Sequence, residues 1–193
     1  MRIIAGKYRS RVLKSPRGLQ LRPTSDRLRE TLFNILGPGV KGARFVDVYA
    51  GTGAVGIEAL SRGAADVVFI EKHARAAGLI RQNLQGLGVA SGATVLAVDA
   101  LRGMALFATR HAADPERAAD IVFLDPPWAD KVEYARVLEL LGGAEFLAAE
   151  VRVIVEHRKK LALAVQFGRL RRVRRMEQGD AALSFYALEA ASV

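Results

Sequence analysis

The chain has 193 residues, of which 51% are hydrophobic and 25% charged, and its formal net charge at pH 7 is +9. This composition is typical of one folded domain with a sizeable core, and it excludes an intrinsically disordered chain. The absence of cysteine excludes disulfides, thiolate metal ligands and cysteine nucleophiles. Because His73, His111 and His157 lie far apart and lack the spacing of metal ligands, we expect no metal site.

No hydrophobic run approaches the roughly 20 residues that a membrane-spanning helix needs. The segment Met1–Lys7 also lacks the hydrophobic stretch of a secretion signal. We therefore expect a cytoplasmic protein without a membrane anchor, and we expect it to be a monomer.

The positive charge is concentrated near the two ends of the chain. Seven basic residues and no acidic ones lie between Met1 and Arg22, and eight basic residues and no acidic ones lie between His157 and Arg175. Such acid-free clusters favour a polyanionic partner, and nucleic acid in particular. The alternative is a basic surface that only keeps the protein soluble.

The N-terminal part of the chain predicts a ribbon followed by a helix. Residues 1–14 alternate in polarity, which indicates a short basic pair of strands with a turn at Gly6-Lys7. The following helix is predicted to begin after a cap at Thr24 or Ser25 and to end near Leu36. Its apolar face consists of Leu28, Leu32, Phe33 and Leu36. We predict a basic ribbon over 1–22 and the main domain over 23–193, which together form a single compact domain.

From residue 44 onwards, apolar strands alternate with helices, which predicts a mostly parallel sheet covered by helices on both faces. The seven predicted strands are Arg44–Tyr49, Asp66–Glu71, Thr94–Asp99, Asp120–Asp125, Val151–His157, Leu170–Met176 and Ala181–Glu189. The intervening helices are predicted over Val55–Arg62, Ala74–Leu87, Leu101–Thr109 and Lys131–Leu141, with further helical turns near Ala144–Glu150. The last two strands flank Gln178-Gly179-Asp180 and predict an antiparallel terminal hairpin.

A glycine-rich segment, Gly51-Thr-Gly53-Ala-Val-Gly56, joins the first strand to the next helix. Glycines at such a turn let the backbone fold tightly and let a ligand approach closely. The N-terminus of the helix supplies backbone N–H groups without partners. By itself this spacing also fits a dinucleotide-binding loop, or a tight turn that binds no ligand.

Acidic side chains at the ends of the first three strands strengthen the case for a ligand. Asp47, Glu71 and Asp99 all fall at the carboxyl edge of the predicted sheet, where open α/β sheets bind ligands. Glu71 can accept both hydroxyls of a ribose, and Asp99 can accept from an adenine amine while Ala100 N–H donates to the ring. Glu71 or Asp99 alone could equally be a helix cap, and NAD would fit the segment from Gly51 to Glu71.

The fourth strand ends in Asp125-Pro126-Pro127-Trp128, which points to a particular chemistry. The two prolines stiffen the loop and have no N–H, so the loop presents acceptors, namely the Asp125 carboxylate and the Pro126 carbonyl. Two neighbouring acceptors suit the –NH₂ group of a nucleobase, whose lone pair they can aim at an electrophilic methyl group. Trp128 offers a ring on which the base can stack. The alternative is a turn that carries a half-buried tryptophan.

Together these residues resemble the RsmD-type 16S ribosomal RNA guanine N2-methyltransferases of bacteria. The likeness covers nearly the whole chain and includes the segments Leu21–Leu36 and Asp47–Gly63, of which Arg22-Pro23-Thr24 and the run Glu58-Ala-Leu-Ser-Arg-Gly63 are the most specific parts. Asp125–Trp128 is shared more widely, with DNA amine methyltransferases. The family often has tyrosine in place of Trp128, and phenylalanine-alanine-glycine-serine in place of Tyr49–Thr52.

The resemblance implies a Rossmann-like class I methyltransferase fold, a seven-stranded sheet, S-adenosylmethionine as cofactor and a guanine of small-subunit ribosomal RNA as target. The residues expected to contact the cofactor are Asp47, Tyr49, Gly51, Thr52, Gly53, Glu71, Lys72, Asp99 and Ala100, with Thr24 and Arg27 beside it. Arg27 could instead form an ordinary ion pair with Asp26 or Glu30. Asp125, Pro126, Pro127 and Trp128 are expected to hold the base.

The basic clusters are then expected to bind RNA, with an affinity that falls steeply as salt rises. The candidate contacts are Arg2, Lys7, Arg9, Arg11, Lys14, Arg22, Arg171 and Arg172. Three alternatives stay open: a DNA adenine or cytosine amine methyltransferase, a nicotinamide oxidoreductase, and a non-catalytic RNA-binding module. An oxidoreductase would give the segment Asp125–Trp128 no function. A non-catalytic binding module would not explain why all four acids, Asp47, Glu71, Asp99 and Asp125, are present.

Overall fold

The computed structural model describes residues 1–15, 24–114, 116 and 118–189. Arg22, one of the candidate RNA contacts, lies outside the described residues. The chain divides into two compact units, Met1–Gly103 and Met104–Val193. No helix in the described part of the chain combines the length and hydrophobicity needed to span a membrane.

The first unit is a three-stranded parallel sheet with its helices. In chain order its elements are α1 (Asp26–Leu36), β1 (Arg44–Val48), α2 (Ala54–Ser61), β2 (Asp66–Ile70), α3 (Ala74–Gly86) and β3 (Ala93–Leu96). The strands lie in the order β3-β2-β1. The helix α4 (Ala100–Ala113) begins in this unit and ends in the second.

Helix α1 follows its sequence signals closely. The Ser25 hydroxyl accepts a hydrogen bond from Leu28 N–H at 3.2 Å and so caps the helix. The predicted apolar face is buried, and each such side chain contributes about 1.5–3 kcal/mol to folding. At Gly37 the chain leaves the α-helix and forms a short 3₁₀ turn, Gly37–Val40.

The basic ribbon at the N-terminus forms one antiparallel bridge, between Arg2 and Val12. It is fastened to α2 by a buried carboxylate, Glu58, which accepts from Ile4 N–H at 2.8 Å and Ala5 N–H at 3.0 Å. We call Glu58 and its two arginine partners, Arg29 and Arg62, the Glu58 cluster. Arg62 Nε donates to Glu58 at 2.8 Å, and Arg29 Nε lies 3.7 Å from it. The cluster therefore fixes the position of the ribbon relative to α2.

The second unit contains one parallel strand pair and a larger antiparallel part. Its elements are β4 (Ala119–Leu124), α5 (Lys131–Gly142), β5 (Leu147–Arg158), β6 (Gln166–Phe167), β7 (Leu170–Gln178) and β8 (Ala181–Leu188). The strand order is β4-β5-β8-β7-β6. Strands β4 and β5 are parallel, and the remaining pairs are antiparallel.

Most of the predicted architecture is confirmed, including the α/β class, the parallel strands and the terminal hairpin. The described residues form eight strands, because the two-residue strand β6 pairs with the edge of the hairpin. The helical turns predicted near Ala144–Glu150 are wrong, since β5 already begins at Leu147. Leu147 pairs with Ala119 of β4, and this pairing overrides the helical preference of the local sequence.

The geometry of the Glu58 cluster predicts that substitutions at the two carboxylate partners of Arg29 lower the free energy of unfolding by unequal amounts. Glu58→Gln removes the only fully buried counter-charge of the Arg29 guanidinium among its two carboxylate partners and leaves it the exposed Asp26, so we expect a loss of about 3 kcal/mol in the free energy of unfolding. Asp26→Asn is the matched control, because Asp26 also pairs with Arg29 but its side chain is 54% exposed. That control should cost less than about 1 kcal/mol. Urea unfolding measures both, and equal losses would contradict the assignment.

Candidate functional site

The glycine-rich loop between β1 and α2 has an unusual backbone. Gly51 and Gly53 adopt φ of 54° and 76°, values that favour glycine. Tyr49 also lies in the left-handed region, with φ of 65°. A non-glycine residue held there is strained, and such strain is concentrated at ligand-binding and catalytic sites.

Asp47 holds the start of α2 against the sheet. Its Oδ2 accepts from Gly56 N–H at 2.8 Å, in the first turn of the helix. A Cβ atom at position 56 would lie 2.3 Å from Cε1 of Phe69 and 3.0 Å from Oδ2 of Asp47. Only glycine therefore permits this close packing, and Asp47 binds the backbone of α2 at this position.

Glu71 ties the loop to the end of β2. Its two carboxylate oxygens accept from Gly51 N–H and from His73 N–H, each at 2.8 Å. A carboxylate offers about four acceptor positions, so capacity for the hydroxyls of a ribose remains. The structure thus brings Asp47, Glu71 and the glycines of the loop together within the first unit.

Burial raises the pKa of Asp47 to about 7, against an ordinary value of 3.8. Loss of hydration is the largest cause, and the negative charge of nearby Glu71 raises the pKa further. The hydrogen bond from Gly56 N–H acts in the opposite direction, because it stabilises the carboxylate.

The other predicted cofactor residues of this unit occupy varied environments. Asp99 is exposed and caps α4, since its Oδ1 accepts from Arg102 N–H at 3.0 Å. Thr52 and Ala100 are buried, whereas Lys72 is exposed. Contacts of these residues with a cofactor stay predictions.

The two residues expected beside the cofactor differ in exposure. Thr24 is buried, with 6% of its surface accessible, and Arg27 is exposed. The ion pair of Asp26 is formed with Arg29 at 3.1 Å and not with Arg27. Arg27 therefore keeps its predicted role as a candidate contact.

In the second unit, the loop Asp125–Trp128 directly follows β4. Asp125 and Trp128 are half-buried, Pro126 is buried and Pro127 is exposed. The hydroxyl of Tyr134 on α5 donates to the Pro126 carbonyl at 3.2 Å. One lone pair of the predicted acceptor is thereby used, and a carbonyl oxygen has a second.

Several charges surround the Tyr134 hydroxyl. Burial raises the pKa of Tyr134, the negative charges of Asp125 and Glu156 raise it further, and the positive charge of Arg158 lowers it. Leu124 pairs with Val155 across the parallel strands, so Asp125 and Glu156 follow side by side. The guanidinium carbon of Arg158, at the end of β5, lies 5.3 Å from the centroid of the Trp128 ring.

The candidate RNA contacts on the ribbon are exposed. These are Arg2, Lys7, Arg9, Arg11 and Lys14. On β7, Arg171 forms an ion pair with Glu189 at 3.0 Å, and Arg172 donates to the Leu163 carbonyl at 3.0 Å. To bind RNA, these two arginines would have to divide their charge or their N–H donors between RNA and these partners within the protein.

Sequence reasoning missed five residues that organise these regions: Arg29, Glu58, Tyr134, Glu156 and Arg158. Glu58 begins the family-specific run Glu58–Gly63, a signal for which no function was predicted. Tyr134 stands eight residues after Pro126, and no local pattern connects the two.

Comparison with known proteins identifies other proteins with this architecture. A solved structure described as "Putative methyltransferase yhhF from Escherichia coli" matches with a TM-score of 0.79 and 34% identity, covering 98% of each chain. The fold is accordingly the Rossmann-like α/β fold of class I methyltransferases. The chain belongs to the family described as conserved hypothetical protein 95, whose family model matches residues 1–187.

Two curated relatives carry a more specific description. Ribosomal RNA small subunit methyltransferase D of Escherichia coli K12 is 39% identical over 81% of this chain and 74% of its own length. The protein of the same description from Haemophilus influenzae is 37% identical over 82% of this chain and 79% of its own length. The resemblance seen in the sequence is therefore confirmed.

The raised pKa of Asp47 predicts a pH-dependent stability. Because the folded pKa of about 7 exceeds the ordinary 3.8, the folded chain binds this proton more tightly than the unfolded chain does. The contribution of Asp47 to the free energy of unfolding must then fall as pH rises from about 4 to about 7. Asp47→Asn keeps an oxygen for Gly56 N–H but does not titrate.

Urea unfolding of the wild type and Asp47→Asn between pH 4 and pH 8 measures this effect. We expect the stability of the wild type relative to the variant to decrease across that window and then to level off. Asp180→Asn, which removes a carboxylate that is 82% exposed, is the control for lost charge. A difference between wild type and Asp47→Asn that is the same at every pH would refute the prediction.

Proposed function

We propose that this protein transfers a methyl group from S-adenosylmethionine to the exocyclic 2-amino group of a guanine in small-subunit ribosomal RNA. The observation that carries the proposal is the loop Asp125–Trp128, in which consecutive residues offer a carboxylate and a carbonyl and the Tyr134 hydroxyl donates to that carbonyl. Relatives described as ribosomal RNA small subunit methyltransferases support the substrate class.

The residues of the first unit fit S-adenosylmethionine. Glu71 is buried and retains acceptor capacity suited to a ribose, and Asp99 exposes its carboxylate at the start of α4. The strained turn Tyr49–Gly53 allows backbone to approach a ligand closely. When bound, S-adenosylmethionine supplies a methyl group on a positively charged sulfur.

In the proposed reaction, the protein mainly positions the amine. The Asp125 carboxylate and the Pro126 carbonyl accept its two hydrogens, so the nitrogen lone pair is aimed at the methyl carbon. The nitrogen would form a bond to that carbon as the carbon–sulfur bond breaks, the electron pair of that bond would stay on sulfur, and the amine would release one proton to water. Catalysis of this kind relies on orientation and preorganised electrostatics.

The exposed cations of the ribbon are proposed to bind RNA phosphates around the target. A guanine within folded RNA has to leave its stack before its amine can be reached. Contacts with the flanking backbone can hold the RNA in that form. The Glu58 cluster holds the ribbon in the position from which its cations would bind these phosphates.

Methyl transfer with labelled S-adenosylmethionine tests the proposal directly. We expect incorporation into small-subunit ribosomal RNA or its particle and little into DNA, and mass spectrometry of digested RNA should show N2-methylguanosine. Transfer to DNA alone would identify a DNA amine methyltransferase. Calorimetry that detects NAD binding but no S-adenosylmethionine binding would identify an oxidoreductase.

Two variants separate catalysis from cofactor binding. Asp125→Ala should lower kcat by roughly 10²-fold or more while the Kd of S-adenosylmethionine changes little, on the scale of losing one preorganised polar group. Glu71→Ala should raise that Kd, because the variant loses the proposed ribose acceptor. Calorimetry and single-turnover assays measure both. An unchanged kcat in Asp125→Ala would show that residues other than Asp125 hold the target amine.

RNA binding should weaken steeply with salt. Each phosphate contact contributes about 0.7–0.9 to the slope of log affinity against log salt concentration. Replacing both Lys7 and Arg9 by alanine should therefore reduce the slope by up to about two. Filter binding at several salt concentrations measures it, and a slope equal to that of the wild type would exclude these two residues as contacts.

A further inference from the structure

The C-terminal basic cluster consists of the eight basic residues between His157 and Arg175, and in the structure these residues differ in whether they already have partners within the protein. Five of its eight cations are already engaged by protein groups. Lys159, Arg171 and Arg175 form ion pairs with Asp180, Glu189 and Glu177, while Arg169 and Arg172 donate to the carbonyls of Ala144 and Leu163. The three cations left are Arg158, Lys160 and Arg174, all exposed.

Arg158 differs from the other two because an aromatic ring supports it. Its guanidinium lies 5.3 Å from the centroid of Trp128, within the range of a cation–π contact. The described residues include no hydrogen-bond or ion-pair partner for this guanidinium, so its five N–H donors can serve a ligand. Stacking restricts the rotamers of a long side chain, which lowers the entropy that a ligand contact would cost.

The position of Arg158 connects it with the loop Asp125–Trp128. Residues of a strand alternate between faces, so Arg158 lies on the same face of β5 as Glu156, which is beside Asp125. The effect of the Arg158 charge on the Tyr134 hydroxyl agrees with this proximity. A planar donor fork at such a place matches the geometry of a phosphate group.

We propose that Arg158 is a substrate-binding residue that grips a phosphate of the RNA next to the target nucleotide. The inference rests on the proposed function, since it assigns the RNA backbone to the surroundings of the same loop. Trp128 holds the guanidinium in the orientation that the phosphate requires. Arg158 thus strengthens the binding of RNA beside the Asp125 carboxylate, while Lys160 and Arg174 add only general attraction.

The chain offers a built-in reporter, because Trp128 is its only tryptophan. Titration of the full chain with a small-subunit ribosomal RNA fragment can be followed by Trp128 fluorescence, and methyl transfer can be assayed with the same fragment. Arg158→Ala should weaken RNA binding and raise the KM for RNA about tenfold, and it should lower the salt slope by about one. Its kcat at saturating RNA and its Kd for S-adenosylmethionine should stay within about twofold of wild type.

Two further variants complete the test. Arg174→Ala removes another exposed cation, from the neighbouring hairpin, and its KM for RNA should change by no more than about twofold. Arg158→Lys keeps the charge but not the planar fork, so its KM should lie between those of Arg158→Ala and the wild type. Equal effects of Arg158→Ala and Arg174→Ala would overturn the inference in favour of general electrostatic attraction.

The outcomes for Arg158 and for the proposed function can be told apart. If the wild type methylates RNA and Arg158→Ala behaves like the wild type, the proposed function stands and the role of Arg158 is refuted. If RNA binding depends on Arg158 but the wild type transfers no methyl group, the phosphate contact stands and the proposed function fails.

Discussion

Buried carboxylates that accept backbone N–H groups hold the functional parts of the first unit in place. Asp47 fixes the first turn of α2, Glu71 fixes the glycine-rich loop, and Glu58 fixes the basic ribbon. Each of the three is at most 5% exposed. A carboxylate buried this deeply is costly unless hydrogen bonds satisfy it, so the surrounding chain is constrained to supply donors at defined positions.

The loop after β4 is stabilised differently. Its two prolines limit the backbone, and the Tyr134 hydroxyl and the Arg158 guanidinium contact it from α5 and β5. Both side chains act on groups that are proposed to meet the substrate, the Pro126 carbonyl and the Trp128 ring. The loop is therefore held by contacts that also shape its chemistry.

Much of the fold could be predicted from the sequence because its signals are local. The apolar face of α1, the alternation of strands and helices, and the hairpin around Gly179 were all predicted correctly, and of the two caps predicted for α1, Thr24 or Ser25, the structure has Ser25. The start of β5 was predicted wrongly, since Leu147–Glu150 has a helical composition but Leu147 pairs with Ala119 of β4. Among the candidate site residues, Asp47 and Glu71 were recognised by position, but their hydrogen bonds to the loop were not foreseen.

The sequence by itself determined the family, the α/β class and the two segments that carry the candidate chemistry. It did so because the glycine-rich segment and the Asp125–Trp128 loop are each contiguous in the chain, and because each strand-end acid directly follows a local strand pattern. Only the tertiary structure decided which cations already have partners, that Glu58 fastens a ribbon more than fifty residues away, and that Arg158 lies over Trp128. Those contacts join residues that are distant in sequence, and they depend on strand register and helix packing, which no local pattern encodes.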